Sequence, residues 1–111
     1  MRNYRISGLG LEVMGGLKYG QKDIDMVSVT RQDLWKVLQG RKGWRLPEPQ
    51  EFKILYEIAS LGTLNLKHQR YWTARSSYIG GDDKEIFLMN GGEFAKGHRD
   101  IVCNVALVRS Y

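Results

Sequence analysis

The side chains of this 111-residue chain whose types could do chemistry are His68, His98, Cys103, the pair Asp82-Asp83 and the pair Ser76-Ser77. Each histidine lies in a polar stretch without a neighbouring Cys or His, so both are expected as solvated surface groups rather than a ligand pair. Asp82 and Asp83 follow Gly80-Gly81 and offer carboxylates to a calcium loop. The alternating oxygen ligands and closing glutamate of the hand motif are missing. Ser76-Ser77 lacks the Gly-x-Ser-x-Gly elbow, and no pattern links it to a base. Gly80-Gly81 and Gly91-Gly92 have neither the Lys-Ser/Thr nor the strand-to-helix setting of a phosphate loop; turn chemistry accounts for both. A single cysteine excludes an internal disulfide and a multi-cysteine zinc site. Cys103 sits in the run Ile101-Val102-Cys103-Asn104-Val105-Ala106-Leu107-Val108, where a free thiol behaves as a small buried hydrophobe. No catalytic residue, metal ligand or cofactor follows from these residues.

Binding is the chemistry that remains. Seventeen Lys and Arg against twelve Asp and Glu give a net charge of +5, which serves solubility and also raises encounter rates with anionic partners. No block of five or six like charges suggests a nucleic-acid tail. Lys67, His68, Arg70, Tyr71, Trp72, Arg75 and Tyr78 interleave cations with aromatics, a mix that stacks bases and neutralises phosphates. A half-buried strand with basic stems reaching to solvent has the same composition. The N-terminal residues lack the apolar stretch of a signal peptide, and no spanning apolar segment occurs. Cytoplasm, or a virion assembled there, is the expected compartment, with no membrane partner.

These residues need elements to position them. A hydrophobic fraction of 42% with 26% charged residues is ordinary for a folded domain, and the length suits one domain over residues 1–111. Short apolar pieces at 4–6, 11–14 and 26–29 alternate with glycine and read as short strands and turns, with Gly15-Gly16 and Gly20 at positive φ or close approach. Thr30 and Asp33 signal a helix start, Leu34, Val37 and Leu38 share one face, and Gly40 ends it. A second helix starts near Pro47 and Pro49 with Glu48 and Glu51 at its positive end. It places Phe52, Leu55, Tyr56 and Ala59 on the core side and stops at Gly62. Strands follow at 71–73 and 85–89, separated by a Ser/Gly/Asp loop at 76–83. Asn90-Gly91-Gly92 opens a hairpin into 93–95, and a polar loop at 96–100 leads to a closing apolar strand. Strands, helices and strands again predict an α+β domain with two helices on a small antiparallel sheet.

Gly43-Trp44-Arg45-Leu46-Pro47, a helix containing Glu51, then Tyr71-Trp72-Thr73, a hairpin and a terminal Val108-Arg109 together resemble the bacterial and phage modules of C-type-lectin-like fold related to formylglycine-generating enzymes and to the Lcl C-terminal domain. The resemblance covers residues 30–109. It implies adjacent N- and C-terminal strands, so that Tyr4–Ile6 would pair antiparallel with 106–109. Physically, Trp44 offers apolar area beside the helix start, Pro47 fixes φ at the turn, and Arg45 is suited to reach carboxylates or carbonyls in a fork geometry. The copper-binding cysteine pair of the formylglycine-generating enzymes is missing, so their activity does not carry over. Glu48-Pro49-Gln50 falls at a helix start and no Trp-Asn-Asp is present, so calcium-dependent sugar binding does not carry over either.

The expectation is therefore a non-enzymatic, calcium-independent binding module that presents loops to a protein or glycan partner, consistent with a phage or prophage product. A nucleic-acid-binding protein using the basic-aromatic stretch is the alternative. The resemblance places the loop carrying Arg75, Tyr78, Asp82 and Asp83 beside the one carrying Lys96, His98 and Arg99 on a single recognition face. Tyr and Arg are frequent binding hot spots because they combine contact area with hydrogen bonding.

Overall fold

The computed structural model describes residues 3–15, 18–19, 22–23, 29–62, 69–76, 84–98 and 100–111. Its class is α+β. Strands β1 (Tyr4–Ile6), β2 (Leu11–Val13), β3 (Lys18–Tyr19) and β4 (Lys22–Asp23) precede helices α1 (Leu34–Leu38) and α2 (Pro49–Ser60). Strands β5 (Arg70–Ser76), β6 (Lys84–Leu88), β7 (Glu93–Gly97) and β8 (Val108–Ser110) follow. Two antiparallel three-stranded sheets, β1-β2-β8 and β5-β6-β7, carry the architecture, with β3 and β4 as a separate pair.

β1 does not pair with the closing strand. It pairs with β2 (Tyr4 opposite Val13), and β2 in turn with β8 (Val13 opposite Val108). The turn between β1 and β2 explains the difference: Leu9 N–H donates to the Ile6 carbonyl at 3.0 Å and Gly10 takes φ +61°, so the chain folds straight back on itself. A local hairpin closes with little loop entropy, whereas direct pairing of the two ends would close the whole chain first. The positive φ falls at Gly10 rather than Gly15, and Gly16 and Gly20 lie outside the described residues. On the outer face of this sheet Glu12, almost fully buried, accepts from Arg5 Nε at 2.6 Å and from Arg109 Nε at 2.7 Å. Arg5 lies over the Tyr111 ring and Arg109 over the Trp44 ring. An aromatic, cation, anion, cation, aromatic row thus crosses three strands.

Both helices form where their sequence signals stand. Thr30 precedes a 3₁₀ turn, Arg31–Asp33, with extended backbone but no side-chain cap bond. α1 buries Leu34 and Val37, and Gly40 ends it at φ +76°. α2 begins with Pro49 at its first position and a reciprocal capping box: the Glu48 side chain accepts from the Glu51 N–H, and Glu51 from the Glu48 N–H. Arg45 grips the same Glu51 carboxylate with both guanidinium arms, at 2.7 and 2.9 Å. The Arg45 backbone is bridged to Val108.

Two apolar clusters sandwich the β5-β6-β7 sheet. One side gathers Leu34, Val37, Trp72, Ile86, Cys103, Val105 and Leu107; the other gathers Phe52, Leu55, Tyr71, Phe87, Ala106 and Val108 with Leu11 and Val13 of β2. The closing run passes between the two, its odd residues from 103 to 107 on one cluster and Ala106 and Val108 on the other. A chain buried on both sides needs a largely apolar run, and from Cys103 to Val108 this segment has one, interrupted by the buried Asn104. It is an extended segment rather than one long strand. Bridges Val29 to Cys103 and Tyr71 to Asn104 hold it, and ladder pairing begins only at Val108.

Candidate functional site

Alternation in β5 sends Tyr71 towards α2 and Trp72 to the opposite cluster, where its indole N–H donates to the Val29 carbonyl at 2.8 Å. The two rings are 1% and 0% exposed, so neither is open to stack a nucleobase. The basic-aromatic stretch is in this part a strand of the core. Lys67, His68 and Tyr78 lie outside the described residues.

Between Trp72 and Ser76 the β5–β6 register shifts. Buried Thr73 settles the local bonding, its hydroxyl donating to the Glu85 carbonyl at 2.9 Å and accepting from the Arg75 N–H at 3.2 Å. The Ala74 N–H turns away to the Pro47 carbonyl at 2.9 Å. Bulged strands re-aim side chains in this way. Here the bulge does two things: it pins the segment leading into α2 onto the sheet, and it brings Arg75 to the start of that helix.

A cleft of about 330 Å³ results, lined by Pro49, Gln50 and Lys53 of α2, Arg75 of β5, Glu85 of β6 and Phe94 of β7. Lys96 is the register partner of Glu85 and therefore shares its face. Lys53 Nζ stands 5.9 Å from the centre of the Phe94 ring, which packs edge-on against Phe87 with centroids 5.0 Å apart. Three cations, one carboxylate and one aromatic edge make up the face. The Glu51 and Phe52 N–H groups at the start of α2 are taken by Glu48, so the charge preference of the cleft comes from Lys53, Arg75 and Lys96.

The Arg45 guanidinium holds the Glu51 carboxyl below its ordinary pKa, against the opposing effect of burial. This pair braces the helix start. Lys84 points to the opposite face, donates to the Ala74 carbonyl at 3.3 Å, and has its pKa lowered by burial and then by nearby Arg31. Burial pushes the Cys103 thiol up to about 11, so it stays protonated and non-nucleophilic at neutral pH. Among the described residues no cluster of three His, Cys, Asp or Glu side chains is placed to hold a metal ion. No helix among them is long and apolar enough to cross a membrane.

Of the seven residues expected on a recognition face, the structure brings Arg75 and Lys96 together. His98 is exposed just beyond β7, where its carbonyl accepts from the Ile101 N–H. Lys96 belongs to β7 rather than to the polar loop that the sequence suggests. Tyr78, Asp82, Asp83 and Arg99 lie outside the described residues. The sequence-based reading missed Lys53, Glu85 and Phe94. The signal for Phe94 was available, since an aromatic two residues before a lysine in a strand shares its face. Nothing local marks Lys53, which reads as an ordinary solvent-facing helix lysine. Compared with known proteins, the chain matches no family model and no curated protein.

Proposed function

We propose that this protein is a non-enzymatic binding module of C-type-lectin-like fold, which presents the face around the α2–sheet cleft to a protein or glycan partner. The observation that carries this is the convergence of Arg75 and Lys96, from separate strands, on one exposed face beside Lys53 and Phe94. Such a face combines contact area with directional charge, the mix from which binding hot spots are built. The Arg45–Glu51 fork and the Trp44–Arg109 stack support reading the Gly43 to Pro47 box as scaffold, and leave recognition to the surface away from it. The setting that accompanies this proposal is the cytoplasm or a phage particle.

The test is the double variant Arg75→Ala, Lys96→Ala, compared with wild type for melting temperature, for capture of partners from a host lysate and for binding to arrayed glycans. Both side chains are exposed, so the melting temperature is expected to hold. Retention of captured protein or glycan is expected to fall by about tenfold, equivalent to about 1.4 kcal/mol. A well-folded double variant that retains its partner in full refutes this site. Binding only to nucleic acid, with a steep loss on adding salt, refutes the protein-or-glycan assignment.

A further inference from the structure

We propose that the outer edge of β7 takes up an extended peptide segment bearing acidic side chains at alternate positions. This rests on the binding-module reading above and gives its partner a chemistry. β7 ends the order β5-β6-β7 and pairs with β6 at five consecutive positions without a bulge. Among the described residues no backbone bond reaches its outer side. The opposite edge of the same sheet is closed by the chain itself, because β5 bonds the closing segment through Asn104 N–H to the Arg70 carbonyl at 2.8 Å and Trp72 N–H to the Asn104 carbonyl at 3.1 Å. In the other sheet, β8 is bridged by Arg45, and β1 offers only three residues with Arg5 already engaged by Glu12.

An unpaired edge of this length is a template for a further strand, whose main chain supplies affinity while alternate side chains supply selectivity. An added strand sets every second side chain on the cleft face, about 7 Å apart. Phe94 and Lys96 have the same spacing along β7, and Lys53 stands over the Phe94 ring. Acidic side chains in that row meet Lys96 of β7 and Lys53 of α2; among the described residues lining the cleft the opposing carboxylate is Glu85, on β6. A glycan or a nucleic acid would engage the cations but leave the β7 amide ladder unused.

The experiment titrates a capped synthetic peptide alternating glutamate and threonine into the ¹⁵N-labelled full chain. Controls are its lysine-for-glutamate counterpart and two forms N-methylated on the two alternate sets of amides. Shift changes are expected to centre on Glu93–Gly97. The lysine peptide should bind about tenfold more weakly, and methylation of one amide set, but not the other, should cost about tenfold. Lys96→Glu, with its melting temperature unchanged, should reverse the preference between the two peptides. Equal binding of acidic and basic peptides, indifference to both methylation patterns, or shift changes away from β7 each overturns strand addition. If the acidic peptide fails while partner capture still depends on Arg75 and Lys96, the binding module stands and this mode of binding falls. If neither depends on these residues, both fall.

Discussion

Glu12 is the residue on which the β1-β2-β8 sheet is fastened. The Arg5 guanidinium first, and Arg109 beside it, hold its carboxyl below the ordinary carboxylate range against the opposing effect of burial. A carboxylate with a depressed folded pKa contributes stability that is fully present above its unfolded value, about 4.3, and is lost as pH falls through the folded value. Glu51, held down by Arg45, acts in the same direction. Glu12→Gln is therefore expected to lower the melting temperature at neutral pH and to flatten its fall between about pH 5 and pH 2. Thermal melts across that range check this, and an unchanged acid limb would assign the slope to other carboxylates. Cys103 gives a second prediction at this scale. Fully buried and with a thiol pKa near 11, it should resist alkylation in the native protein at neutral pH and react once denaturant is added. Mass spectrometry distinguishes the two, and rapid native labelling would contradict its placement.

At the scale of elements, the hairpin between β6 and β7 shows how a turn is set by more than its own residues. Gly91 and Gly92 both donate to the Leu88 carbonyl, yet only Gly92 takes a positive φ, +71°. A Cβ there would stand 2.9 Å from Tyr56 Cε1 of α2. Gly92→Ala should thus cost about 1–2 kcal/mol from the left-handed backbone alone, with the crowding of Tyr56 added. Gly91→Ala, whose Cβ meets nothing within 4 Å, should stay within about 0.5 kcal/mol of wild type. Gly97 is tight for a different reason: an added Cβ would lie 2.6 Å from Ile86 Cγ2 and 2.8 Å from Trp72 Cζ3. Gly97→Ala should cost about 1–3 kcal/mol through overpacking. Urea unfolding of the three variants gives the order directly, and equal midpoints would refute it.

Across the whole molecule, Trp72 joins elements that are distant in sequence. Its ring fills the cluster formed by α1, β6 and the closing segment, and its N–H meets the carbonyl of Val29, which is itself bridged to Cys103. Trp72→Phe keeps most of the apolar surface but leaves that carbonyl without its indole donor, so a loss of about 1–3 kcal/mol is expected. Calorimetry checks the size, and a loss below about 0.5 kcal/mol would mean that the Val29 carbonyl finds another donor. Tertiary packing also withdraws Tyr71 and Trp72 from solvent and builds the cationic face instead from Lys53, Arg75 and Lys96. Surface charge in this protein is organised by sheet register rather than by runs along the chain.

What the residues determine unaided is local. Pro49, Glu48 and Glu51 start α2 and Gly62 ends it, Gly40 stops α1, Asn90-Gly91-Gly92 turns the hairpin, and the apolar run at 101–108 marks a closing segment with Cys103 buried in it. Each depends on φ preference, capping or hydrophobic period within a few residues, so each was legible before any fold was known. Of the expected recognition face, Arg75 and Lys96 were legible as exposed charges, but as loop residues, whereas they stand in β5 and β7. The order β1-β2-β8 was not, because strand pairing is a choice among distant partners, decided by which turn closes first and which edges remain. The cleft was not legible either. It exists because a register shift in β5 frees one amide, that of Ala74, to anchor the segment before α2, and whether Lys53 then faces solvent or a binding surface depends on where that anchor lies.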